Sequence, residues 1–379
     1  MIPRTMLSLG LSLAAAVCAA QAQAPAKPAS SEAETLVQSA KEAQQHGDLK
    51  TAIEDYRKAL ALRPDLVGAH VGLGAALVNA GRLDEAIEED RRALATVPNN
   101  AAVATNLGLA YYRKGDLGHA RAQFEEVHRT HPEDTTAAVL LGYTYIRMNR
   151  EADAADLLMP LEAGHEDNLD LEYVLGYALI RTGREADGMP KMEKVAKARH
   201  AADAWFIAGT ARFARREFHE ASDDAEQALV CDPKLPGAHT LAGQAHYAIG
   251  RQEDAAKDFQ AALRADPRDF TANLYLGILR FDGRNFDDAR PLLELAVELQ
   301  PGAPLARLEL AKLNAMTGDQ QAALRVLEDL VKTDPDWLDP HVELAALYYK
   351  LHRSEDGQRE REIVQRLQAG PQKPRPQQN

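Results

Sequence analysis

The sequence predicts an all-α protein: an α-solenoid built from about ten antiparallel helix pairs stacked one after another. Three observations point there. The stretch "LGLAYYRKGDLGHA" (107–120) returns as "LGYTYIRMNREADA" (141–154) and again as "LGYALIRTGREADG" (175–188), at an offset of 34 residues. Self-similarity at a fixed period of this size marks a stacked repeat. In a register that starts on Ala101, position 8 holds only Gly or Ala: Ala40, Gly74, Gly108, Gly142, Gly176, Gly209, Gly243, Gly277, Ala311 and Ala345. Position 20 is equally restricted, from Ala52 through Gly188 to Gly357. Small residues kept at two fixed places predict that two helix backbones approach closely there.

The chain opens on "MIPRTMLSLGLSLAAAVCAAQAQAPA", with Arg4, an apolar run from Met6 to Ala20, and small residues at A-x-A spacing. That layout is a secretory signal peptide over 1–24, with cleavage expected after Ala24 or Ala22. The run is short for a membrane span. An uncleaved anchor, or a lipoprotein cut before Cys18, are the alternatives; Val17 is bulky for the latter. Residues 25–32 read as a flexible linker.

The units start at 33, 67, 101, 135, 169, 202, 236, 270, 304 and 338 and run to residue 367. Within each, apolar residues recur at helical spacing, as in Leu107, Tyr111, Phe124 and Val127. Turn residues separate helix A from helix B: "AGRL" at 80–83, "KGDL" at 114–117 and "TGDQ" at 317–320. Pro64, Pro98, Pro132, Pro233, Pro267, Pro301 and Pro335 close units, since Pro cannot continue a helix but can help start the next. Repeat 5 is one residue short, and repeats 4 and 5 carry Glu166 and His200 where the closing Pro would be. Pro160 falls late in helix B of repeat 4, which predicts either a bend around 158–170 or a shorter helix with a longer loop. The last helix B, "EDGQREREIVQRLQ", is charged, as the free end of an array requires. The tail at 368–379, which includes "GPQKPRPQQN", has the composition of a disordered segment.

Leu at position 7, Gly or Ala at 8, Tyr at 11, Gly at 15, Ala at 20, an aromatic or Leu at 24, Ala at 27 and Pro at 32 together resemble the tetratricopeptide repeat family. Repeat 3 carries the pattern through Leu107, Gly108, Tyr111, Gly115, Ala120, Phe124 and Pro132. Repeat 7 carries it through Gly243, Gly250, Ala255, Phe259, Ala262 and Pro267. The resemblance implies a right-handed superhelix whose A helices line a concave inner wall.

Catalytic layouts are missing from the sequence. No H-E-x-x-H, G-x-S-x-G or G-x-x-x-x-G-K-[ST] occurs, and Gly72 and Gly74 lie inside a helix with no strand before them. His128 and His131 are spaced like a metal pair but have no third ligand nearby, so they read as solvated. His239 and His246 read as partly buried scaffold residues, and Cys231, inside "ALVCD", as a buried thiol. The carboxylates read as solvated helix faces. No cofactor, metal or enzymatic activity is expected. A net charge of −13 argues against nucleic acid or an anionic membrane surface as the main partner.

The wall implied by the family can be read residue by residue. Positions 5, 9 and 12 share one helical stripe. In the middle of the array that stripe holds Tyr112, Tyr143, Tyr173, Tyr177, Phe206 and Phe213. Beside it, position 13 holds Arg113, Arg147 and Arg181. Aromatic area with nearby guanidinium groups suits an extended chain offering carbonyls or carboxylates. Position 5 reads Val37, Val71, Thr105 and Val139, so the family's Lys and Asn clamp for chaperone tails is not matched. The expectation is an exported, periplasmic scaffold without catalysis, binding a protein or peptide in the groove of repeats 3–6. A polysaccharide-binding or polymer-export module using the same aromatics is the alternative. No membrane insertion is expected once the signal is removed.

Overall fold

The computed structural model describes residues 28–369; the expected signal peptide with Cys18, residues 25–27, and residues 370–379 of the expected tail lie outside them. Twenty helices fill the described residues: α1 (Pro28–Gln45), α2 (Leu49–Leu62), α3 (Val67–Asn79), α4 (Leu83–Thr96), α5 (Ala101–Lys114), α6 (Leu117–Thr130), α7 (Thr135–Arg147), α8 (Glu151–Glu162), α9 (Leu169–Arg181), α10 (Glu185–Arg199), α11 (Ala202–Ala214), α12 (Phe218–Cys231), α13 (Ala238–Ala248), α14 (Gln252–Ala265), α15 (Phe270–Asp282), α16 (Phe286–Leu299), α17 (Pro304–Thr317), α18 (Gln320–Thr333), α19 (Leu338–Lys350) and α20 (Ser354–Ala369). Odd-numbered helices are the A helices and even-numbered ones the B helices. Residues 28–32, read as linker, are the first turn of α1; a proline at the start of a helix forfeits no hydrogen bond. At the other end α20 runs through residues 368 and 369 of the expected tail.

The described residues hold no strand. The chain divides into two compact units, Met1–Ile207 and Ala208–Asn379. Within the first, α1 to α10 form successive antiparallel pairs, and each helix packs on the next. Within the second, α13 to α20 do the same. In both units an A helix also touches the following A helix, as α3 does α5 and α15 does α17.

The turn between A and B is set by one residue. Position 15 has positive φ in all ten repeats, from Gly47 (78°) and Gly115 (88°) to Arg284 (59°) and His352 (60°). A left-handed residue after a helix turns the chain back and lets its neighbours' N–H groups cap the last carbonyls. Gly115 does this by donating to the Tyr112 carbonyl. Asn149, Arg216, Arg284 and His352 take the same conformation with a Cβ present.

Position 8 behaves differently from the expectation in most repeats. A Cβ placed on Gly108 would lie 2.6 Å from the Phe124 ring, a side chain at position 24, and not against a backbone. There the small residue makes room for the large one that fills the hairpin, as Gly243 does for Phe259 in repeat 7. In repeat 5 two backbones do meet: a Cβ on Gly188 would lie 2.6 Å from the Gly176 carbonyl oxygen. Of the two readings of Pro160, the shorter helix holds. Helix α8 has 12 residues against 14 in α6, and a loop through Gly164 (φ 88°) follows it.

Candidate functional site

The three arginines at position 13 separate into two roles. Arg113 donates from Nη1 to the Val78 carbonyl at 2.7 Å, and Arg147 donates in the same way to the Tyr112 carbonyl at 2.8 Å. Lys350, also at position 13, reaches the Ala315 carbonyl at 2.8 Å. Each cation therefore adds a charged donor at the end of the preceding A helix, where the helix dipole is negative. Arg113 and Arg147 are inter-repeat staples, a role that the groove reading did not include. Arg181 makes no such cap. Its side chain is 59% exposed, with Nε 3.7 Å from Glu151.

The tyrosines are more enclosed than the stripe reading expects. Tyr143, Tyr173 and Tyr177 are only 4%, 0% and 7% exposed. Tyr143 and Tyr173 each meet a residue of the next A helix. Tyr173 donates a hydrogen bond from its hydroxyl to Asp203 of α11 at 2.8 Å, and its ring centroid lies 6.5 Å from that of Tyr143. Tyr112 is half-buried under the Arg147 guanidinium, 4.6 Å from its ring centroid. Phe206 is half-buried on α11. Phe213, in the second unit, leans on Phe218 at 5.2 Å.

One group in this set is unsatisfied. The Tyr143 hydroxyl is buried and has no hydrogen-bond partner. Burial raises its pKa first, and Asp170 and Tyr112 nearby raise it further, while Arg199 acts the other way. Asp170 itself is paired with Arg199 at 2.7 Å. Buried polar groups without partners are uncommon and call for an explanation.

Two recurring polar links escaped the sequence reading. In the first, position 25 of one repeat holds position 11 of the next. Tyr145 donates to Glu125 at 2.9 Å and Tyr348 to Glu328 at 2.8 Å, while His246 meets Glu226 at 3.2 Å. Arg150 and Arg353 then lie over the Tyr145 and Tyr348 rings, at 4.7 and 4.4 Å. Burial, then the Glu125 carboxylate, pushes the Tyr145 hydroxyl up to about 12. In the second, a donor at position 4 satisfies the carbonyl of the closing proline. Asn273 donates to Pro267 at 3.0 Å, and His70 and His341 meet Pro64 and Pro335 at 2.7 and 3.1 Å. Each link joins residues 20 or 6 apart in sequence, visible only once the 34-residue register is laid out in space.

Three smaller expectations are also settled. His246 is buried between Asp258 and Glu226, a scaffold role. Cys231 is half-buried at the end of α12 beside Val230, which is 75% exposed, so it is not the buried thiol predicted. The carboxylates are not all solvated: Asp90, Asp170, Glu172, Asp203, Asp224 and Glu309 are buried. Among the described residues, no group of three His, Cys, Asp or Glu is placed to hold a metal ion, and no helix is long and apolar enough to cross a membrane.

Stacked helical hairpins with this register define a helical-repeat protein of the α-solenoid class. The tetratricopeptide repeat family model matches residues 37–101, 105–159, 240–304 and 276–336, more than half of the chain. The chain belongs to that family, whose members are protein-interaction scaffolds and generally not enzymes. No curated protein matches it. Among solved structures, YrrB, a tetratricopeptide protein with an unusual peptide-binding site, matches at 21% identity and TM-score 0.42, over 47% of this chain and 92% of its own. A tetratricopeptide repeat protein from Parabacteroides merdae ATCC 43184 matches at 18% identity and TM-score 0.48, over 66% and 99%. The MamA protein matches at 21% identity and TM-score 0.41, over 44% and 92%.

Proposed function

We propose that this protein is a non-enzymatic adaptor of the bacterial cell envelope, and that it holds a protein segment against the A-helix face of repeats 3 to 5. The observation that carries the reading is Arg181, the one position-13 arginine of the three that makes no cap and stays exposed. Its guanidinium suits a carboxylate or main-chain carbonyl of the same segment.

The role needs no chemistry. Rigid helices present preformed contacts, and a segment that fits loses little further entropy on the protein side. The enclosed rings of Tyr143, Tyr173 and Tyr177 leave little aromatic face for stacking on sugars, so the protein segment is the better occupant. Placement in the envelope rests on the layout of residues 1–24.

The test is a crosslinked pull-down from native envelope extract with wild type and Arg181→Ala, each first shown folded by circular dichroism. A partner weakened by the substitution supports the proposal. A partner retained equally by both sinks it. Sequencing the N-terminus of the native protein tests signal cleavage: a start at Gln23 or Pro25 is expected, and an intact Met1 would refute it.

A further inference from the structure

Helix α4 carries a carboxyl where other repeats place a large apolar side chain. Position 24 holds Tyr56, Phe124, Leu158, Met192 and Phe259 in repeats 1, 3, 4, 5 and 7, and Asp90 in repeat 2. Asp90 is 1% exposed, and neither of its oxygens has a hydrogen-bond partner. It lies directly on α3: a Cβ built on Gly74 would sit 2.2 Å from Oδ1.

Other enclosed carboxylates on B helices, buried or half-buried, are matched. Asp224 pairs with Arg212 at 2.6 Å and Asp258 with His246 at 2.8 Å. Both occupy position 23 and meet position 11 of their own A helix. Asp90 is one residue later, rotated by about 100° on the helix, and so points among apolar neighbours instead. Position 11 of repeat 2 is Leu77, which is fully buried.

No cation is free to answer it from the helices packed on α4. On α3, His70 is held by the Pro64 carbonyl. On α5, Tyr111 is held by Arg91, Arg113 by the Val78 carbonyl and Lys114 by Asp84. The charge that acts on Asp90 is Glu89 of its own helix, of like sign. A lone carboxylate in such surroundings is strongly disfavoured, so the group keeps its proton. Burial first, and Glu89 second, push the Asp90 carboxyl up to about 8.

We propose that Asp90 makes repeat 2 a proton-dependent joint, well packed while the carboxyl is neutral and loosened as it ionises. The sign follows from linkage. The folded chain retains a proton that the unfolded chain releases at an ordinary 3.8, so this contribution is full below 3.8, declines as pH rises, and is gone once pH has passed about 8.

Urea unfolding of the full chain, followed from about pH 5 to about pH 9, tests it, together with hydrogen exchange in α3 and α4 corrected for intrinsic rates. Wild type is compared with Asp90→Leu and Asp90→Asn. The wild-type unfolding constant is expected to rise by up to about tenfold per pH unit below the titration, with exchange in α3 and α4 rising in step. Both substitutions should remove that extra slope. Slopes that stay parallel between wild type and the variants overturn the proposal. If Asp90→Leu does not fold, Asp90→Asn decides alone, loss of the extra slope supporting the joint and a wild-type slope refuting it. A carboxyl 13C resonance of Asp90 that titrates in the ordinary carboxylate range also overturns it.

Discussion

Arg147 serves Tyr112 twice: it donates a hydrogen bond to the Tyr112 carbonyl at 2.8 Å and lays its guanidinium 4.6 Å from the centre of the Tyr112 ring. One side chain thus caps a helix and covers an aromatic of the preceding repeat. Arg147→Ala should destabilise the protein by about 1–2 kcal/mol, from the lost charged hydrogen bond and the lost ring contact. Arg181→Ala, which removes no cap, should stay within about 0.5 kcal/mol of wild type. Urea denaturation of both variants checks the contrast, and equal losses would mean that the two arginines share one role.

Gly188→Ala should cost about 1–3 kcal/mol. The added methyl would meet the Gly176 carbonyl, which belongs to a helix backbone and cannot rotate away. Calorimetry reads the loss; an unchanged melting temperature would place the two backbones further apart than described.

Arg284→Gly should stabilise the chain by roughly 1 kcal/mol. Arg284 holds φ at 59°, a conformation that costs a residue with a Cβ and costs glycine little. Its side chain is exposed, so little packing is lost. A lowered melting temperature would show that the arginine side chain makes a compensating contact.

Tyr145→Phe should cost about 1 kcal/mol, because Glu125 loses its donor across the repeat boundary. The Glu125→Gln variant in the Phe background should add little, since the pair acts as one unit. A double-mutant cycle on thermal unfolding measures this, and a coupling of zero would make the link incidental.

The sequence by itself determined the brick. The 34-residue period, the restricted positions 8 and 20 and the spaced prolines placed eight of the A helices on their first residue, from Val67 to Leu338. Those features are local, because helix formation, turn conformation and hairpin packing all depend on residues within one unit. The left-handed residue at position 15 follows from Gly in six repeats, though Arg216 and Arg284 gave no such signal.

Only the tertiary structure decided what faces what. Tyr143 and Tyr173 lie on the predicted stripe, but each is buried and meets a residue of the following A helix, and a single-helix periodicity cannot see its neighbour. Arg113, Arg147 and Arg181 occupy the same position in three successive repeats, yet only the first two reach a carbonyl of the repeat before. Asp90 and Asp224 differ by one place in the register, and that rotation separates an unpartnered carboxyl from a paired one. Burial and pairing are set between repeats, where contacts depend on the rotation and approach of whole helices, and composition carries no record of either.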